Sequence, residues 1–125
     1  MASDGVFDLD GLLEDARDTW RWTLLIALPD EASADEIDGA LAAGRAKLQP
    51  AFAAKLRVET FAEGRVAQLL HLGPYAAEKA SIERLHAAIA DAGLEPHGRH
   101  HELYIGNPQT SAPQRLKTIL RQPVT

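Results

Sequence analysis

Towards the C-terminal end, His100-His101-Glu102-Leu103-Tyr104-Ile105 sets a carboxylate and a phenol two residues apart. Side chains of a strand alternate between faces, so Glu102 and Tyr104 share one face while His101, Leu103 and Ile105 share the other. On a concave, partly dry face that carboxylate can attract a cationic aromatic ligand, or act as a base whose pKa is raised by burial. On an open antiparallel face the same glutamate would simply be solvated.

Other side chains could complete such a site. Tyr75 follows Gly73-Pro74 at the end of a predicted strand, where side chains are often presented to ligands. Trp20 and Trp22 offer the largest flat surfaces in the chain. They read either as walls around the carboxylate, each ring worth about 0.5 to 2 kcal/mol towards a cation, or as the core side of a strand. His71 and His100 titrate near neutral pH and could position or protonate a group near Glu102, or serve as hydrogen-bonded structural residues.

With His97 and His101 they also raise the question of a metal. Adjacent residues 100 and 101 face opposite ways in a strand, and no His-x-x-x-His pair exists on a helix, so the spacing points to none. Asp8-Leu9-Asp10-Gly11 lacks the later ligand positions of a calcium loop. No Gly-x-Ser-x-Gly elbow, phosphate loop or dinucleotide fingerprint occurs, and no cofactor is implied.

The elements that must hold these residues follow from periodicity. Trp20 to Leu28 alternates into a strand with one strongly apolar face, stopped by Pro29. Ser33 followed by Glu36 is a capping box, and Ile37, Ala40, Leu41, Gly44 and Leu48 trace a helix from about Ala34 to Leu48. Leu56 to Phe61 and Val66 to Leu72 flank Ala62-Glu63-Gly64 and read as an antiparallel hairpin. Ile82, Leu85 and Ile89 mark a second helix from about Ala77 to Ala92, with Gly93 as its left-handed cap and Pro96 beyond. Residues 100–105 and 116–121 form the last two strands, the latter with Lys117 and Arg121 as a charged, solvated edge. This order predicts an α+β domain, an antiparallel sheet with two helices packed on it.

Several of these blocks occur in register: Trp20-Arg21-Trp22-Thr23-Leu24, His71-Leu72-Gly73-Pro74-Tyr75, Ile82-Glu83-Arg84-Leu85-His86, Gly98 to Tyr104, and Leu116 to Pro123. Together they resemble the GyrI-like small-molecule-binding domain family over roughly residues 18 to 124. The resemblance implies a SOUL/GyrI-like architecture of βαββ repeats around a cleft, with the glutamate matching Glu102 at its floor. It also implies a departure, because residues 1–19, rich in aspartate, read as an acidic arm or short helix and do not supply the first strand-helix-strand unit. Residues 20–125 would then form a truncated domain whose open edge and apolar face are covered by a second copy, a homodimer.

With 125 residues, 46% of them hydrophobic, the chain suffices for one domain with a core. A net charge of −5 disfavours nucleic acid as a partner. There is no cysteine, hence no disulfide and no thiol nucleophile. The longest apolar run, Trp22 to Leu28, is too short for a membrane span, so a cytoplasmic protein is expected. The expected function is binding of bulky, apolar or cationic aromatic compounds around Glu102, with Trp22, Tyr75 and Tyr104 as walls. The resemblance implies two alternatives. One is hydrolysis of cyclopropane-bearing electrophiles, with Glu102 as general base and Tyr104 or Tyr75 as hydrogen-bond donor. The other is inhibition of a topoisomerase by direct binding.

Overall fold

The computed structural model describes residues 21–125, which divide into two compact units, one built on Glu63–Thr125 and the other on Thr23–Ala62. In the larger unit three antiparallel strands, β1 (Val66–Leu72), β2 (His101–Tyr104) and β3 (Lys117–Pro123), lie in the order β1-β3-β2. Leu69 and Glu102 both pair with Leu120, and His71 and Tyr104 both pair with Thr118. The strand last in sequence is therefore central rather than an edge, and Arg121 on it is held by Glu63 at 2.8 Å and by Gln68 at 3.1 Å. This corrects the reading of Lys117 and Arg121 as a solvated edge, because sequence cannot show which strand acquires two neighbours.

One sheet face is covered by helix α3 (Glu78–Asp91). Its residues Ile82, Leu85 and Ile89, spaced for one face of a helix, close over Leu120 and Val124, with Ala67, Leu69 and Leu94 against them. Burial of each large aliphatic side chain there contributes about 1.5 to 3 kcal/mol. Gly93 ends α3 with φ 71°, the left-handed conformation that a side chain would strain. On the opposite face Leu70 and Leu72 are half or more exposed, and Ile105 beyond β2 is 57% exposed.

The smaller unit holds helix α1 (Ala34–Lys47) and the short helix α2 (Pro50–Ala53). Helix α1 starts where the sequence predicts, with Ser33 Oγ accepting from the Glu36 amide at 3.2 Å and Glu36 Oε2 accepting from the Ser33 amide at 2.8 Å. The Arg45 guanidinium donates to the Leu56 carbonyl at 2.9 Å, and a Cβ placed on Gly44 would stand 3.0 Å from the Leu56 side chain.

Two expected strands are not formed. Arg21–Leu28, the described part of the Trp20–Leu28 strand, and Leu56–Phe61 carry no strand among the described residues. The predicted hairpin is thereby replaced by pairing of β1 with β3. An alternating apolar pattern supplies one face of a strand, but a strand also needs a neighbour's backbone. Trp20, the acidic arm 1–19 and the Asp8 run lie outside the described residues.

Candidate functional site

Strand register brings the polar residues of the helix-covered face into two rows. Glu102 and Leu120 occupy one, and Tyr104, Thr118 and His71 the next. His100, directly before β2, faces the same way by the alternation of side chains. Because β2 is an edge strand, Glu102 and Tyr104 lie beside α3 rather than beneath it, and the Glu102 side chain keeps 17% of its exposure.

The Glu102 carboxyl is gripped from two sides. Tyr104 Oη donates to its Oε2 at 2.7 Å, and His100 Nε2, 3.3 Å away, donates to its Oε1. Glu78, at the first turn of α3, is buried as well. Burial by itself pushes the Glu102 carboxyl up. The hydrogen bonds from His100 and Tyr104, and then the charge His100 can carry, outweigh it, so Glu102 is held below the usual carboxylate range. A glutamate in that state is a strong counter-charge and a weak base. Tyr104 shifts the other way, since burial and the adjacent carboxylate push its hydroxyl up and keep it a proton donor.

Tyr75 completes the opening. Gly73, at φ 124°, turns the chain out of β1 and donates to the Leu116 carbonyl at 2.9 Å, leading through Pro74 into a 3-10 turn, Tyr75–Ala77, directly before α3. The Tyr75 ring meets Tyr104 edge to face, centroids 5.5 Å apart and planes at 70°. Such a pair contributes about 0.5 to 1.5 kcal/mol beyond its burial and presents both a ring face and a ring edge.

His71 has a different task. Its Nε2 donates to the Pro74 carbonyl at 3.0 Å, which leaves Nδ1 to accept from the Ser81 hydroxyl at 2.7 Å. Both nitrogens are used in fastening the Gly73-Pro74 turn to α3, and the ring is 4% exposed. The structure therefore brings Glu102, Tyr104, Tyr75 and His100 together, assigns His71 to positioning Tyr75, and leaves Trp22 62% exposed. It adds Glu78, for which sequence gave no distinguishing signal beyond its place at a helix start. It also adds His86 on α3, buried and lowered by that burial and then by the charge of His100.

Among the described residues no group of His, Asp and Glu side chains is arranged to hold a metal ion, and no helix is long and apolar enough to cross a membrane.

An antiparallel sheet covered by α3 with a carboxylate beside two tyrosines at its edge is the arrangement, and comparison with known proteins gives the class of domain that carries it. Residues 25–125 match the GyrI-like small molecule binding domain, and the chain belongs to that family. Among solved structures, a hydrolase from Listeria innocua superposes with a TM-score of 0.63 at 28% identity, over 78% of this chain and 52% of that one. An uncharacterized conserved protein from Listeria innocua gives 0.65 at 30% identity, over 78% of this chain and 50% of that one. The chain thus spans about half the length of these proteins. None of the curated proteins gives a significant match.

Proposed function

We propose that this chain binds bulky, apolar, cationic aromatic compounds at the open edge beside α3, with Glu102 as counter-charge and Tyr75 and Tyr104 as walls. The supporting observation is the state of Glu102: a mostly buried carboxylate kept ionised by Tyr104 and His100. A negative charge in that setting has lost much of its hydration, and a poorly hydrated organic cation restores the balance better than water-loving ions do. Binding of rhodamine 6G, an aromatic cation, followed by fluorescence anisotropy against the anionic fluorescein, tests this. Saturable binding of the cation alone is expected, and equal binding of both dyes would contradict the reading.

The binding unit is a homodimer. The support is exposed apolar surface among the described residues: Leu24, Ile26 and Leu28 are 76%, 89% and 48% exposed, and Phe52 and Val58 are each about half exposed. Those residues lie largely in the two segments whose alternation fits strands, which a second copy would convert into paired strands. Light scattering decides it, a strict monomer being the contrary result.

A second reading, hydrolysis of cyclopropane-bearing electrophiles, is favoured by the likeness to a Listeria innocua protein described as a hydrolase. In that reaction the Tyr104 hydroxyl turns from Glu102 to donate to the carbonyl oxygen that gains charge as the ring opens, and Glu102, a stronger base once that donor has left it, takes a proton from the attacking water. Catalytic gain of one water by such a compound, read by mass spectrometry, supports it; a compound recovered unchanged excludes it.

A further inference from the structure

Tyr75 is held by the backbone on both of its sides. The Pro74 carbonyl, in the peptide unit that precedes Tyr75, accepts from His71 Nε2 at 3.0 Å and from the Ala77 amide at 3.0 Å. The Tyr75 carbonyl, in the unit that follows, accepts from the Glu78 amide. With both planar units fixed, the Tyr75 side chain leaves the backbone in a set direction, and its ring stands against Tyr104.

A side-chain link ties this turn to the helix. A carbonyl can only accept, so His71 Nε2 carries the hydrogen and Nδ1 is an acceptor, filled by the Ser81 hydroxyl at 2.7 Å. Ser81 lies on α3, and the buried imidazole is therefore a strut between that helix and the Pro74 carbonyl. Removal of the hydroxyl would leave a buried ring nitrogen without its donor, a state that costs free energy unless the ring moves. Thr118, opposite His71 on β3, is fully buried and its Oγ1 has no hydrogen-bond partner, which gives a ring released by Ser81 a second place to turn.

We propose that Ser81 is a positioning residue of the ligand site, its hydroxyl acting through His71 and Pro74 to hold Tyr75 as a wall already in place when a ligand arrives. The inference rests on the cation-binding reading above and names what prepares the site for it. A wall fixed beforehand needs no ordering on binding, whereas a loose one lowers the apparent affinity by the fraction of molecules in which Tyr75 is in position.

The test is a double-mutant cycle read by fluorescence anisotropy of rhodamine 6G, with the contact between the Tyr75 and Tyr104 rings followed by NMR in the ligand-free protein. Ser81→Ala is expected to weaken binding about threefold to tenfold and to lower the ring-to-ring NOE, while Ser81→Thr, which keeps a hydroxyl, binds within about twofold of wild type. On a Tyr75→Leu background, Ser81→Ala is expected to cost less than about twofold, because the wall it positions is gone. An equal cost of Ser81→Ala on both backgrounds overturns the proposal, since the hydroxyl then acts on general packing and not through Tyr75. Unchanged affinity in Ser81→Ala overturns it as well. If wild type does not bind the dye, the cation reading falls and the NOE decides the positioning role by itself: its loss in Ser81→Ala sustains that role, and an unchanged NOE overturns it.

Discussion

Tyr104 donates a 2.7 Å hydrogen bond to the Glu102 carboxylate two residues before it on the same face of β2, and its ring stands edge to face with Tyr75 at 5.5 Å. One side chain thus fixes both the charge and the wall of the site. Strand periodicity aligns Tyr104 with Glu102, and the Gly73-Pro74 turn, tied down by His71, delivers Tyr75 to the same place.

Tyr104→Phe removes the hydroxyl and keeps the ring contact. Without that donor, burial weighs more heavily on Glu102, so its carboxyl titrates at higher pH than in wild type, measurable by NMR. Affinity for an organic cation is expected to fall about threefold to tenfold. An unchanged Glu102 titration would show that the 2.7 Å bond does not hold the charge.

Stability should depend on pH through His86. Burial, and then the charge of His100, hold its folded pKa below the ordinary histidine value. Below about pH 6.5 the unfolded chain takes up a proton that the native chain resists, so stability falls with pH until the folded pKa is reached. His101 acts in the same sense, burial outweighing the attraction of Glu63. Glu102 contributes stability that is fully present above the unfolded carboxylate pKa of about 4.3 and is lost as pH falls through its lower folded value. Thermal melts between about pH 8 and pH 5 are expected to show a falling Tm, with the slope flattened in His86→Leu. The same slope in that variant would remove His86 from the account.

The two units should respond differently to mutation. Leu85 is 3% exposed in the α3 core, and Leu85→Ala is expected to cost about 2 to 5 kcal/mol in urea unfolding. Ser33→Ala removes one half of a capping box on a helix with no buried residue and is expected to cost about 1 kcal/mol. A Leu85→Ala cost as small as that of Ser33→Ala would show that α3 does not carry the core.

What sequence disclosed depended on how local the cause was. The Ser33 to Glu36 box, the 3.6-residue spacing of Ile82, Leu85 and Ile89, and the two-residue spacing of Glu102 and Tyr104 act within a few residues, and all three are found in the structure. The pairing of β1 with β3, the central position of β3 and the lack of a strand at Arg21–Leu28 among the described residues are decided by chain segments far apart in sequence. Glu78 illustrates the same limit within the site. A glutamate in the first turn of a helix ordinarily faces solvent and favours the helix dipole. Only the docking of α3 on the sheet buries it. His71 was legible as a histidine near a turn, but its full use by Pro74 and Ser81 required the tertiary fold.

The central claim is that the charge on Glu102 selects the ligand. Its most direct test is anisotropy titration of rhodamine 6G with wild type and Glu102→Gln at low salt, circular dichroism confirming that both are folded. Saturable binding by wild type and at least tenfold weaker binding by Glu102→Gln, a loss of about 1.4 kcal/mol or more, is the predicted result. Equal affinity of the two proteins would contradict the assignment of the site to Glu102.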